Sequence, residues 1–153
     1  MPAYDRNLIM LGLETNDAAD ALRTLGKKMV MVGVVHKSFP DAVIKRESEY
    51  PTGLPGLGVA IPHTTSDHVI EPAIAIAQLV KPVSFSCMGD PDEVLDVDLI
   101  FLLAIKDPKA QLSTLKMLMS TFQDEDAMNN MRSAPNMHFF ELALMAVGWE
   151  NKY

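Results

Sequence analysis

Apolar positions along the chain alternate between two spacings, and each change of spacing marks a change of element. Leu8-Ile9-Met10-Leu11-Gly12-Leu13 is a compact apolar run closed by Glu14-Thr15-Asn16, which predicts a first strand. Asn16 then precedes a segment with acid in its first turn and Lys27-Lys28 further on, as a helix dipole prefers. Ala18, Leu22, Leu25 and Met29 recur at helical spacing, so a helix is expected from about Asp17 to about Val32. Pro40 suits the first turn of a second helix that runs to about Glu49. Val59-Ala60-Ile61 is too short and too apolar for a surface loop and reads as a buried strand, which Pro62 terminates. Residues 64–72 are polar and turn-forming.

Ala73 to Val80 reads as a central strand that Lys81-Pro82 ends, and Val83 to Cys87 as a shorter strand with one wet face. Met88 to Glu93 reads as a turn-rich acidic loop, and Val97 to Ile105 as the most apolar strand. Lys109 to Phe122 is an amphipathic helix whose stripe is Leu112, Leu115, Leu118 or Met119, and Phe122. A short helix over Asp124 to Arg132 and a last one around Asn136 to Val147, closed by Gly148, complete the set. Strands alternating with helices predict an α/β layer fold. The connection between Ala73 and Ile105 has no room for a crossover helix, so some strands pair antiparallel and the sheet is mixed.

Composition narrows the function classes. A chain of 153 residues is expected to form a single domain over 1–153. Its net charge of −7 argues against a nucleic-acid binder that works by neutralising phosphates. The single cysteine, Cys87, has no internal disulfide partner and no C-x-x-C companion for a metal, which fits a reducing cytoplasm. The start of the chain lacks the basic and apolar regions of a secretory signal, and no apolar run is long enough to span a bilayer. The eleven methionines fall mostly on helical apolar faces, as adaptable core filling.

The chemistry concentrates between Arg46 and His63, Arg-Glu-Ser-Glu-Tyr-Pro-Thr-Gly-Leu-Pro-Gly-Leu-Gly-Val-Ala-Ile-Pro-His. Gly53, Gly56 and Gly58 allow main chain to approach a ligand closely. His63 stands at a strand end, on the rim of a sheet. Imidazole is nucleophilic while still largely neutral near pH 7, so it attacks a phosphoryl group without a separate base. Arg46, near the end of the second helix, offers a planar fork of donors to phosphate oxygens. Read alone, Arg46-Glu47 is a solvated ion pair of little worth. His36 reads as a surface residue and His68 as a bystander. Thr65 and Ser66 carry hydroxyls able to donate to a phosphate, as many loop hydroxyls are.

Arg46-Glu47, the Thr52-Gly53 turn and Gly58-Val59-Ala60-Ile61-Pro62-His63 resemble the phosphohistidine signature of type-2 IIA proteins of the bacterial phosphoenolpyruvate:sugar phosphotransferase system. This is the fructose, mannitol and nitrogen-regulatory group, and the resemblance covers nearly the whole chain in element order. It implies a three-layer α/β/α arrangement about a mixed sheet. It also implies a phosphoryl carrier that accepts a phosphoryl group from phospho-HPr on His63 and passes it to a IIB component, with a membrane IIC component served indirectly. The family's acceptor atom is Nε2, which requires Nδ1–H to be held by a backbone carbonyl or similar acceptor. Arg46 is expected to stabilise the phosphoryl charge, helped by backbone amides of Gly53 to Gly58 or after His63. No cofactor and no metal is implied.

One position departs from the family pattern. Where relatives often carry a second histidine, at the start of the helix after the long apolar strand, this chain has Ala110-Gln111-Leu112. Gln111 is expected to act as a neutral donor, since an amide donates a hydrogen bond but supplies no charge. The substitution is associated with a galactitol-type branch. Leu54, Leu57, Met88 and the Met117 to Met119 region are candidates for an apolar ring that meets partners. A regulatory IIA, whose phosphorylation state controls partner binding, and a non-phosphorylated binding module of the same fold, like the anion-exchanger cytoplasmic domain, are the competing readings.

Overall fold

A computed structural model describes residues 3–152, so the expected domain limits at 1 and 153 lie just outside the described residues. The strands are β1 (Ala3–Tyr4), β2 (Ile9–Leu13), β3 (Gly53–Leu54), β4 (Val59–Ala60), β5 (Ala73–Cys87), β6 (Asp90–Ala104) and β7 (Glu150–Asn151). The helices are α1 (Ala18–Val32), α2 (Phe39–Glu49), α3 (Pro108–Phe122), α4 (Glu125–Ser133) and α5 (Met137–Ala146).

Local chemistry accounts for the helix ends. Asp17, Asp107, Asp124 and Asn136 each precede a helix and accept a hydrogen bond from a backbone N–H of its first turn. Gly33, at φ 91°, ends α1 and donates its N–H to the carbonyls of Met29 and Val30. Pro40 opens α2 and Pro51 follows its end, so the stretch carrying Arg46 and Glu47 is bounded at both sides.

The main sheet runs β2-β5-β3-β4-β6, with β5 and β6 also paired to each other. β2 lies parallel to β5, whereas β5 and β6 form a long antiparallel hairpin. β4 lies parallel to β6, with Val59 opposite Leu99 and Ala60 opposite Ile100. The sheet is therefore mixed, as expected. Side-chain alternation along the strands feeds two cores. Ala75, Ala77, Ile100 and Leu102 face α1 and α2, and Ile76, Leu99, Phe101 and Leu103 face α3, α4 and α5. Burying each large apolar side chain contributes about 1.5–3 kcal/mol, so the β5–β6 hairpin is the anchor of both layers.

Three expectations are corrected. Lys81-Pro82 does not end a strand, because β5 continues through them to Cys87. The pairing shifts between Gln78 and Val83, where four β5 residues stand against one on β6, and this bulge tolerates a proline that donates no ladder hydrogen bond. The acidic stretch is mostly strand: the turn is confined to Met88-Gly89, and Asp90 to Asp96 form a largely exposed arm of β6 with solvated acids. Leu112 is 62% exposed and does not belong to the α3 stripe, which Leu118 and Phe122 bury. The parallel β1–β7 pair carries too few residues to leave a periodic signal.

Candidate active site

The end of α2 splits two sequence neighbours. Successive helical residues point about 100° apart, so Arg46 and Glu47 cannot face the same way. Arg46 faces solvent, its Cζ lying 4.1 Å from the centre of the Tyr50 ring, and Tyr50 in turn donates its N–H to the Arg46 carbonyl at 2.7 Å. The stacked guanidinium keeps its donors free for an anion. Glu47 turns inward, where its Oε2 accepts the Thr52 N–H at 2.7 Å and its Oε1 accepts the Thr52 hydroxyl at 2.6 Å. The two do not form the ion pair that their adjacency suggests. Burial pushes the Glu47 carboxyl up to about 7, against the opposing effect of its two bonds from Thr52.

Thr52 opens the β3–β4 hairpin, in which Gly53 pairs with Ala60 and Leu54 with Val59. Two of the glycines, Gly53 and Gly58, serve packing here. A Cβ on Gly53 would lie 2.7 Å from the Ser86 carbonyl oxygen, and one on Gly58, at φ 66°, would lie 2.9 Å from Arg132 Nη2. Arg132 clamps the hairpin turn, donating from Nη2 to the Leu57 carbonyl and from Nε to both oxygens of Asp98 at 2.9 and 3.0 Å. Nothing in the local sequence marks Arg132 or Asp98 as partners, since they lie on α4 and β6.

His63 follows β4 and makes a parallel bridge with Leu103, whose N–H is accepted by the Pro62 carbonyl at 2.9 Å. Its Nδ1 lies 3.0 Å from the Ile61 carbonyl oxygen. A carbonyl only accepts, so this contact puts the proton on Nδ1 and leaves the Nε2 lone pair available.

His63 and Arg46 together line two adjoining clefts. One, of about 330 Å³, also includes Tyr50, Thr52, Met88 and Gly89. The other, of about 240 Å³, includes Thr64, Ser66, Pro108 and Gln111. The first turn of α3 therefore brings Gln111 to the same cleft as His63. Gly53 to Gly58 line neither cleft, so the expected backbone donors there are not at the site. The Thr65 hydroxyl is committed to the Asp67 carboxylate and pulls that group below its ordinary range. The hydroxyls of Thr64 and Ser66 carry no hydrogen bond to another described residue.

His68 stands outside both clefts and braces the loop. Its Nδ1 lies 2.7 Å from the Ser38 hydroxyl, and its carbonyl accepts the His36 N–H at 2.9 Å. Leu54 is buried and Leu57 packs against the core, whereas Met88 and Tyr50 are exposed apolar side chains that line the first cleft, and Leu112, next in sequence to Gln111, is exposed on α3. A larger cavity of about 480 Å³ beneath the start of α3 is lined largely by apolar groups such as Leu8, Val34 and Ile74, and holds neither Arg46 nor His63. Among the described residues no group of three or more His, Cys, Asp or Glu side chains converges to hold a metal. Among the same residues no helix is long and apolar enough to cross a membrane.

The family model described as "Phosphoenolpyruvate-dependent sugar phosphotransferase system, EIIA 2" matches residues 3–142. The chain belongs to this family. The galactitol-specific EIIA component of Escherichia coli strain K12 is 32% identical over 132 residues, which cover 85% of this chain and 87% of that protein. Among solved structures, a IIA protein from Streptococcus mutans superposes with a TM-score of 0.80 at 20% identity, covering 94% of this chain and 90% of that one. The Escherichia coli complex of mannitol enzyme IIA with phosphorylated mannitol enzyme IIB superposes with a TM-score of 0.78 at 22% identity, covering 92% and 95%. The structural likenesses establish the type-2 IIA fold, and the family makes this chain a IIA component of the sugar phosphotransferase system.

Proposed function

We propose that this IIA component is a cytoplasmic phosphoryl carrier that takes a phosphoryl group from phospho-HPr on His63 Nε2 and delivers it to a IIB component, in a system for galactitol or a similar polyol. The observation that carries this reading is the 3.0 Å contact between His63 Nδ1 and the Ile61 carbonyl, on a ring that lines both clefts with Arg46. The sugar class is drawn from the galactitol-specific relative, which matches over most of its own length.

The reaction is an in-line displacement between two imidazoles. The Nε2 lone pair forms the new N–P bond while the donor's N–P bond breaks, and that electron pair stays on the donor nitrogen. No proton has to leave, because the Nδ1 proton stays shared with the Ile61 carbonyl, which also stabilises the positive ring of the phosphorylated form. Arg46 neutralises charge on the equatorial oxygens, with its fork held ready by Tyr50. Gln111 donates a neutral hydrogen bond from the α3 side, and the free hydroxyls of Thr64 and Ser66 lie on the same wall. In delivery to IIB the partner's acceptor, a cysteine or a histidine, forms its own bond to phosphorus while the His63 N–P bond breaks and its electron pair returns to Nε2, so the same cleft serves both transfers. Met88, Tyr50 and Leu112 provide apolar contact for the brief docking of each partner.

The test is phosphoryl transfer from phosphoenolpyruvate through enzyme I and HPr to wild type, His63→Ala and His68→Ala. Wild type and His68→Ala are expected to gain an acid-labile, alkali-stable phosphate, and His63→Ala to gain none. An unlabelled wild type, or a normally labelled His63→Ala, overturns the reading.

A further inference from the structure

Glu47 touches neither cleft, yet it stands at the head of a continuous chain of hydrogen bonds that ends on the His63 ring. Its carboxylate holds both the N–H and the hydroxyl of Thr52. The Thr52 carbonyl accepts the Ile61 N–H at 3.3 Å. The Ile61 carbonyl then meets His63 Nδ1 at 3.0 Å. We infer that Glu47 is a positioning residue, which holds Ile61 through Thr52 so that its carbonyl keeps His63 in the Nδ1–H form. The inference rests on the reading of Nε2 as the phosphoryl acceptor for its functional consequence, but its structural content does not.

The peptide that carries the Ile61 carbonyl is bracketed by two anchors. On its far side, Leu103 of β6 donates to the Pro62 carbonyl at 2.9 Å, a contact within the body of the sheet. On its near side the anchor is the Thr52 carbonyl, just beyond the last ladder pair of the hairpin, Gly53 and Ala60. Pro51, the residue before Thr52, has no N–H with which to extend that ladder. A side chain from α2 therefore holds the open end of the hairpin. Thr52 is 5% exposed, so water does not readily take over when the carboxylate is removed.

The contacts require two acceptor or donor positions in the right places, not a negative charge. A glutamine amide accepts the Thr52 N–H through its oxygen and donates through its nitrogen to the Thr52 hydroxyl, which switches from donor to acceptor. Alanine supplies neither. This separates a positioning role from an electrostatic one.

The experiment is the ¹⁵N spectrum of the His63 ring at a pH where the imidazole is neutral, read beside the rate of phosphorylation by phospho-HPr. Wild type is expected to show a protonated Nδ1 and an unprotonated Nε2. In Glu47→Ala the two nitrogen signals move towards each other as the Nε2–H form gains population, and the rate falls by about three- to tenfold in step with the loss of the competent tautomer. Glu47→Gln restores both. Thr52→Val, which keeps the N–H and loses the hydroxyl, gives a smaller movement in the same direction and stands in if Glu47→Ala fails to fold. Leu144→Ala, a core truncation in the layer across the sheet, controls for general destabilisation and leaves the ring signals in place. A Glu47→Ala or Thr52→Val protein with the wild-type tautomer overturns the inference. So does a Glu47→Gln protein that behaves like Glu47→Ala, or a Leu144→Ala protein that shifts as far. A wild-type protein with the expected tautomer that takes up no phosphate sinks the carrier reading alone, because the spectrum tests the hydrogen-bond chain independently.

Discussion

Replacing Glu47 by glutamine should stabilise the protein in mild alkali and have little effect in acid. The folded protein holds this carboxyl at about 7 instead of the ordinary 4.5, with burial as the main cause. At about 1.4 kcal/mol per tenfold change in proton affinity, that interval is about 3 kcal/mol, or about 2 to 3 kcal/mol after allowing for residual water contact. The sign follows from which state binds the proton more tightly. The folded state does, so the contribution favours folding fully below pH 4.5 and is lost as pH rises through about 7. Glutamine keeps the hydrogen-bonding shape and does not titrate. Urea unfolding of wild type and Glu47→Gln at pH 5 and pH 8.5 is the assay. The variant should exceed wild type by about 2 to 3 kcal/mol at pH 8.5 and by under about 1 kcal/mol at pH 5. The corresponding rise in thermal midpoint at pH 8.5 is roughly 5 to 10 °C for a chain of this size. Equal stability at pH 8.5, or an advantage that grows as pH falls, refutes the argument that burial dominates at this group.

Other substitutions probe the frame and the cleft. Gly53→Ala drives a Cβ against the Ser86 carbonyl and should cost about 1 to 3 kcal/mol in chemical denaturation, while Gly56→Ala, with open space around it, should show only the strain of its left-handed backbone. Gln78→Leu removes a buried amide that accepts from Gly12 N–H at 3.1 Å and donates to the carbonyls of Met131 and Ala134 at 2.8 and 3.0 Å. It should cost about 2 to 4 kcal/mol and lower the denaturation midpoint accordingly. Arg46→Lys keeps the charge but loses the planar fork and the Tyr50 stack. Its phosphorylation rate should fall roughly tenfold, and Arg46→Ala should fall further, with unfolding midpoints near wild type in both.

Elements that bury many residues were legible because their periodicity is repeated. Val97 to Ile105, with nearly every residue inside, and the capped helices α1, α4 and α5 fall close to their expected places. Period alone did not foresee the β5 bulge, since a proline reads as a stop unless its partner strand is known to lack a matching residue. The acidic arm of β6 reads as loop because its side chains meet water on both faces, and only its pairing with Val83 to Ser86 makes it a strand. Of the candidates for the apolar rim, Met88 stands at the cleft and is exposed, whereas Leu54 is core. An apolar residue after a glycine gives no sign of which way the hairpin turns.

At the site itself the limit is of a different kind. Arg46, His63 and Gln111 each announce themselves by residue type, and the fold brings all three to one cleft. Glu47 announces itself wrongly, since beside Arg46 it reads as half of a surface ion pair. Only helix geometry reveals that it faces the other way, and only the hairpin register shows what it meets there. The same geometry accounts for two of the glycines: Gly53 and Gly58 are small because Ser86, Arg132 and Asp98 press on the hairpin, whereas Gly56 meets open space and serves its left-handed turn. Both errors have one cause. Sequence proximity suggests that residues of a motif converge on one ligand, whereas here the motif divides its labour: Arg46 and His63 face the clefts, Glu47, Gly53 and Gly58 hold the hairpin that aims the ring, and Thr52 touches both. A motif of this kind marks a mechanism together with its support, and the hydrogen bonds from Glu47 through Thr52 and Ile61 to Nδ1 separate the two.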